Sequence, residues 1–354
     1  MKRHIIFVLL LLVIGCSGGS EFVKPVKIPT GSTPKEKEML REGVAYHDNQ
    51  NYEQAINIYR KILESDPENL DAMYELAYSL INSGQIEEGL DIALKGLEYD
   101  SPVHQQFTVM VGNCYDMLGD PGAAIDFYKS AIEQYPDEQM LYYNLGITYY
   151  GQNEYGNAKT ALTESIRLNP NHPGSYLVLC EIAMTEGKQI LSLLLVSRFL
   201  SLEPRSQRAV KAHQYLQNLI SQGVEQETEE QVNINMLFDL DGETEIFGTT
   251  ELMFKINRAT RYLEENKYKS EIEFRLEEFI ALVESVSSIE ITDNVSFLEA
   301  YLIKYYSALK ENEKAEVFFY TIYQIIDDES IQLWLEKNVE KVNEFEKWSR
   351  NFLM

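Results

Sequence analysis

Between Gln139 and His172 the apolar positions recur at helical spacing twice over. Tyr142, Leu145, Gly146 and Tyr149 form one stripe; after a polar break at Gln152 to Glu154, Tyr155, Ala158 and Leu162 form a second, and Pro170 follows. This predicts two amphipathic helices of about four turns joined by a tight turn. Gly146 and Ala158 fall where the two helices touch, and a large side chain at either would hold the pair apart. Pro170 ends the second helix because it cannot continue one.

The pattern repeats, and subtraction checks its period. The small residue of the first helix recurs at Gly43, Ala77, Gly112, Gly146 and Cys180, at intervals of 34, 35, 34 and 34. The second-helix small residue falls at Ala55, Gly89, Ala124, Ala158 and Ser192 with the same intervals. The closing proline falls at Pro67, Pro102, Pro136, Pro170 and Pro204, at 35, 34, 34 and 34. The extra residue therefore lies between Gly89 and Pro102. Large residues fill the matching slots: Tyr46, Leu80, Tyr115 and Tyr149 late in first helices, Tyr59, Tyr128 and Leu162 in second helices, all expected in the core.

These helix-turn-helix units resemble the tetratricopeptide repeat (TPR). The resemblance covers about half the chain and implies an all-α right-handed superhelix of about five repeats, with a concave face lined by first helices. Its end needs a cap with a polar outer face, and Gln207 to Ser221 carries a fitting apolar stripe. Beyond it, Gly223 to Gln231 is acidic and reads as a solvated linker or helix start. A proline-free second helical region follows, with helices expected near Glu251–Glu265, Lys269–Val286, Val295–Lys310, Lys314–Ile326 and Ser330–Asn351. Ala259, Tyr262 and Tyr268, and Tyr306, Ala315 and Phe319, retain traces of the repeat. Degenerate repeats and a separate bundle both fit.

The N-terminus is expected to be a targeting signal. Lys2 and Arg3 precede an apolar run from Ile5 to Ile14, too short to span a bilayer in the mature protein. Val13-Ile14-Gly15-Cys16 resembles a bacterial lipobox, which implies cleavage before Cys16 and lipidation of its thiol. At roughly 0.8 kcal/mol per buried methylene, two or three acyl chains hold a protein on a membrane where one does not. Ser17 rather than Asp after the cysteine implies, by the enterobacterial sorting rule, the outer membrane on its periplasmic face rather than the inner membrane. The expected organisation is signal peptide 1–15, lipidated N-terminus and tether 16–35, repeats with capping helix 36–222, acidic linker and turn 223–250, and C-terminal helices 251–354.

Composition narrows function mainly by exclusion. The net charge is 31 − 56 = −25, with no basic run beyond the first three residues, so nucleic acid is not an expected partner. Leu237-Phe238-Asp239-Leu240-Asp241-Gly242 is similar to the first motif of haloacid dehalogenase-like phosphatases, and Asp327-Asp328 to that family's late metal pair. Glu243 stands where the family has Thr, and no alternating strands and helices surround the motif, so an Asp-Gly turn is the simpler reading. The same residues fail as an EF-hand loop. His47, His104, His172 and His213 lie without metal-ligand spacing. Cys114 and Cys180 occupy small-residue core slots, two repeats apart, as free thiols. No enzyme, metal or cofactor is expected.

Function is then carried by surface shape. The period places Tyr74, Tyr78, Asn113, Met117, Met140, Tyr143, Ile147 and Tyr150 in the groove, suited to an apolar or amphipathic peptide segment. Leu40, Val44 and Glu75 stand where chaperone-binding members have the first residues of their carboxylate clamp, so that specificity is not implied. The expected function is a lipid-anchored periplasmic adaptor for a protein partner of the cell envelope. The alternative is an accessory protein binding a small apolar molecule, with a transporter partner; a phosphatase is a distant third.

Overall fold

The computed structural model describes residues 25–29, 31–228, 231–235, 246–266 and 268–352. The expected signal, Cys16 and Leu237 to Gly242 lie outside the described residues. Among the described residues the fold is all-α apart from one short hairpin of strands, and the chain divides into two compact units, residues 1–136 and 137–354.

The first unit is three helical hairpins: α1 (Pro34–Asp48) with α2 (Tyr52–Ser65), α3 (Leu70–Asn82) with α4 (Ile86–Gly96), and α5 (His104–Met117) with α6 (Pro121–Gln134). Thr33 starts α1 with a reciprocal cap, its side chain taking the Glu36 N–H while the Glu36 carboxylate takes its own. The small-residue series marks real contact between paired helices. A Cβ on Gly43 would lie 2.4 Å from the Tyr59 ring, and one on Gly112 would lie 2.1 Å from that of Tyr128. In the second unit a Cβ on Gly146 would lie 2.7 Å from Leu162. Tyr59, Tyr128 and Leu162 are fully buried. Tyr149 is buried too, but Tyr115 is only half-buried and Tyr46 is 36% exposed. The core expectation fails at those two, although Leu80 and Tyr149 at the equivalent position are buried; Tyr115 still tilts its ring against Phe127 at 6.0 Å.

The turns add a series that residue types alone do not reveal. Gln50, Gly84, Gly119, Asn153 and Gly187 all have φ between 59° and 85°, at the same intervals of 34, 35, 34 and 34. This left-handed residue lets the chain reverse in three residues; glycine fills it at three positions, Gln and Asn at two. The extra residue falls after α4, where the connection is Leu97 to Val103 and the helix stops early at Gly96. Extended backbone there pairs with Lys27, in the segment expected as a tether. Lys27 N–H donates to Glu98 O at 2.9 Å, Asp100 N–H to Lys27 O at 2.8 Å, and Lys27 lies over the Tyr99 ring.

The second unit begins with α7 (Gln139–Gly151) and α8 (Tyr155–Leu168), α9 (Pro173–Thr185) and α10 (Gln189–Leu202), and α11 (Gln207–Ser221). A strand pair, β1 (Val224–Thr228) and β2 (Gln231–Ile234), stands where a linker or helix start is expected. Val224 pairs with Ile234 and Gln226 with Val232, so β-branched residues on a two-residue period outweigh the acidic composition. Lys255, almost fully buried, ties the hairpin down by donating to Asn235 O at 2.9 Å.

Then come α12 (Gly248–Ala259), two short 3-10 turns, α13 (Glu271–Ser287), α14 (Phe297–Glu311), α15 (Ala315–Tyr323), α16 (Glu329–Lys337) and α17 (Val339–Arg350). The single helix expected over Ser330–Asn351 is broken at Asn338, which closes α16 and opens α17. The turn between α14 and α15 keeps the repeat's left-handed residue, at Glu313 with φ 54°, and Tyr306 and Phe319 are buried. None of the described residues of the α12–α13 connection takes that conformation, and Tyr268 is 95% exposed.

These helices pack on α10, which is buried on every side from Gln189 to Ser201. A helix apolar all round is a core helix. Tyr306 Oη donates to Leu194 O at 2.8 Å. Arg198, fully buried, has no carboxylate partner among the described residues; it donates to Ser349 Oγ at 2.6 Å, Tyr305 Oη at 3.1 Å and Asn171 Oδ1 at 3.2 Å, and lies 4.3 Å from the Tyr305 ring centre. Cys114 and Cys180 are free and buried, and burial pushes the Cys114 thiol up to about 11.

Candidate partner-binding face

The eight expected groove residues fall in two sets of four, one on each unit. In the first unit, α1, α3 and α5 lie side by side and present a ladder of rings. His47 stacks on Tyr78 with centroids 4.8 Å apart, Tyr78 on Tyr74 at 6.3 Å, and Tyr74 meets the Phe107 ring edge-on at 5.7 Å. His47 Nδ1 is 2.8 Å from Ser79 Oγ, which fixes the ring. Tyr78 remains 44% exposed and Met117 56%. Asn113 is exposed but engaged, its Oδ1 accepting from Tyr128 Oη at 2.9 Å. Glu75, beside the ladder, is half-buried. Burial, reinforced by Asp48 and Asp71, holds its carboxyl above the ordinary range. The structure thus brings Tyr74 and Tyr78 into one cluster and leaves Asn113 and Met117 on the adjoining helix.

In the second unit Met140, Tyr143, Ile147 and Tyr150 share one face of α7, all half-buried. Tyr143 packs edge-on against His172 at 4.3 Å and lies over Gly174, where a Cβ would come 2.8 Å from its hydroxyl. Burial, with the Arg208 cation adding to it, pushes His172 down to about 4. Tyr150 Oη donates to Glu181 Oε2 at 3.1 Å; Tyr215 Oη and Lys211 Nζ reach Glu181 Oε1 at 2.8 and 3.0 Å. Burial first and Glu181 second push the Tyr150 phenol up to about 12. Tyr143 and Tyr150 are therefore half-buried and braced by neighbouring helices, whereas Tyr78, though stacked on His47 and Tyr74, stays exposed. The sequence reading passed over Lys211 and Tyr215 because it treated α11 as a cap. Their four-residue spacing on α11, the next helix of the first-helix series after α9, is the signal that could have placed them beside Glu181.

Tetratricopeptide-repeat models match residues 46–103, 109–138 and 140–172, so the hairpins within those stretches are tetratricopeptide repeats. Among relatives, the chain is 28% identical over 123 residues to BBSome complex member bbs-4 of Caenorhabditis elegans, covering 34% of this chain and only 26% of that protein. It is 24% identical over 196 residues to type IV pilus assembly protein PilF of Pseudomonas aeruginosa, covering 54% of this chain and 75% of that one. Solved structures to which the chain is similar include a thermophilic repeat protein of Thermus thermophilus, with a TM-score of 0.43 at 20% identity over 52% of this chain and 98% of that one. They also include MamA, with a TM-score of 0.39 at 22% identity over 46% and 94% of the two chains.

Proposed function

We propose that this protein is a lipid-anchored periplasmic adaptor, which holds a peptide segment of an envelope partner against its first-helix faces. The observation that carries the reading is the ring ladder on α1, α3 and α5. Tyr78 and Met117 expose large apolar surface beside ordered aromatic neighbours, which is how a surface built for contact differs from a scattered exposed residue. The likeness to a pilus assembly protein over about half the chain supports an assembly role at the envelope. Among the described residues no helix is long and apolar enough to cross a membrane, so membrane attachment rests on Cys16. Ser17 after that cysteine favours the outer membrane over the inner.

Two experiments test this. A photo-crosslinking residue at Asn82 or Met117, on the ladder's face, should trap one recurring envelope protein that the same residue at Lys61, on α2, does not. Equal labelling from Lys61, or none from either face position, overturns the adaptor reading. Cys16→Ser should move the protein from the membrane fraction to the soluble periplasm; unchanged fractionation after carbonate washing overturns the anchor.

A further inference from the structure

We propose, resting on the adaptor reading above, that the α1–α3 part of this face receives a lysine or arginine side chain from an extended segment of the partner protein. The first support is a comparison of equivalent positions. In the third repeat Tyr128 lies under Gly112, and its hydroxyl reaches Asn113 on the outer surface of α5. Sixty-nine residues earlier (128 − 59 = 113 − 44 = 69), Tyr59 lies under Gly43 in the same way, but Val44 stands in the place of Asn113. The Tyr59 hydroxyl is left fully buried with no hydrogen-bond partner, on the side of Glu75 and Asp48. A buried polar group without a partner costs stability, so its orientation calls for an explanation.

The second support is charge. Among the described residues no cation pairs with Glu75 or Asp48, and the neighbours that act on Glu75 are themselves carboxylates, Asp48 and Asp71. This part of the face therefore offers carboxylate acceptors without a counter-cation. A metal ion does not answer the need, since no group of three or more His, Cys, Asp or Glu side chains among the described residues could hold one. An acidic segment would be repelled. The third support is shape. Tyr78 and the His47 ring stacked on it lay an apolar strip beside the carboxylates, and a lysine or arginine stem lies along such a strip while its head reaches the charge.

The test selects displayed random dodecamers on the full chain and measures binding of the winning peptides by fluorescence anisotropy. The expected result is a lysine or arginine at one fixed position in the selected peptides. Their affinity should fall about tenfold with Glu75→Gln and fall again as salt is raised. Winners with no basic residue, or with affinity unchanged by Glu75→Gln, overturn the inference. If such peptides still lose binding to Tyr78→Ala, the adaptor reading stands without it; if they are indifferent to both changes, both readings fall. Thermal melting of Glu75→Gln alongside the parent separates lost binding from lost folding.

Discussion

Removing one oxygen from Ser349 should cost the second unit about as much stability as replacing the buried cation that the oxygen serves. Ser349 Oγ accepts from Arg198 at 2.6 Å and lies 2.7 Å from Tyr305 Oη. In Ser349→Ala the guanidinium stays charged and buried, and its Nη1 keeps only the longer contacts to Tyr305 and Ser201, at 3.1 and 3.4 Å. A hydrogen bond to a charged group contributes roughly 1.5 to 3 kcal/mol, and a charge left short of acceptors loses at the upper end of that range. Arg198→Met removes the charge with its need. Tyr305 and Ser349 still satisfy each other, and the loss is packing, the contact with the Tyr305 ring and the donor to Asn171 Oδ1, about 1 to 3 kcal/mol. The double variant should then lose only about 1 kcal/mol beyond Arg198→Met, the bond between Tyr305 and Ser349, which leaves a coupling of about 1 to 2 kcal/mol. Urea unfolding followed by tryptophan fluorescence suits the measurement, because both tryptophans, Trp334 and Trp348, lie in this unit and Trp348 packs 5.8 Å from Tyr305. Additive losses in the double variant, or a Ser349→Ala variant as stable as the parent, would refute the account of Arg198 as a cation held by neutral oxygens.

Gly112→Ala drives a methyl into the buried Tyr128 ring and should destabilise the first unit by about 1 to 3 kcal/mol, whereas Gly156→Ala, with open space around it, should be neutral or slightly stabilising; paired thermal melts would expose a wrong register. Tyr149→Ala should cost about 3 to 5 kcal/mol and Tyr78→Ala under about 1, and similar melts for the two would contradict the burial difference between them. The Glu75 carboxyl is raised in the folded state above its ordinary value of 4.5. Its favourable contribution is thus complete below that value and is lost as pH rises through the raised one. Glu75→Gln should therefore gain on the parent as pH goes from about 4 to about 7; a difference that shrinks over that range would reverse the sign.

The repeats were legible because their packing uses residue types with few substitutes. Where two helices touch, only Gly, Ala, Ser or Cys fits, so Gly43 through Cys180 keep the period in plain view. The turn series was not legible, since Gln50 and Asn153 adopt the left-handed conformation without being glycine. The covering of α10 was written in the run Gln189 to Leu202, whose moment is weak because nearly every position is buried. Periodicity sees a face, and a helix with no polar face gives it little to detect. At the candidate site, spacing placed Tyr74 and Tyr78 on one helix face but could not show that Tyr143 and Tyr150 are braced by His172 and Glu181. Those partners come from other helices, and a single-helix pattern carries no information on them.

The match between Gly43 and Tyr59, Gly112 and Tyr128, and Gly146 and Leu162 joins the two helices of one hairpin. Large and small thus balance inside each repeat, and the natural cut for recombination is the proline junction rather than the left-handed turn. A chimera assembled from whole hairpins inherits every size match intact. One that joins the first helix of the second repeat to the second helix of the third would set Ala77 against Tyr128, a methyl where Gly112 leaves room for the ring. New binding faces could therefore be built from this chain by exchanging hairpins while the pairing within each is left alone.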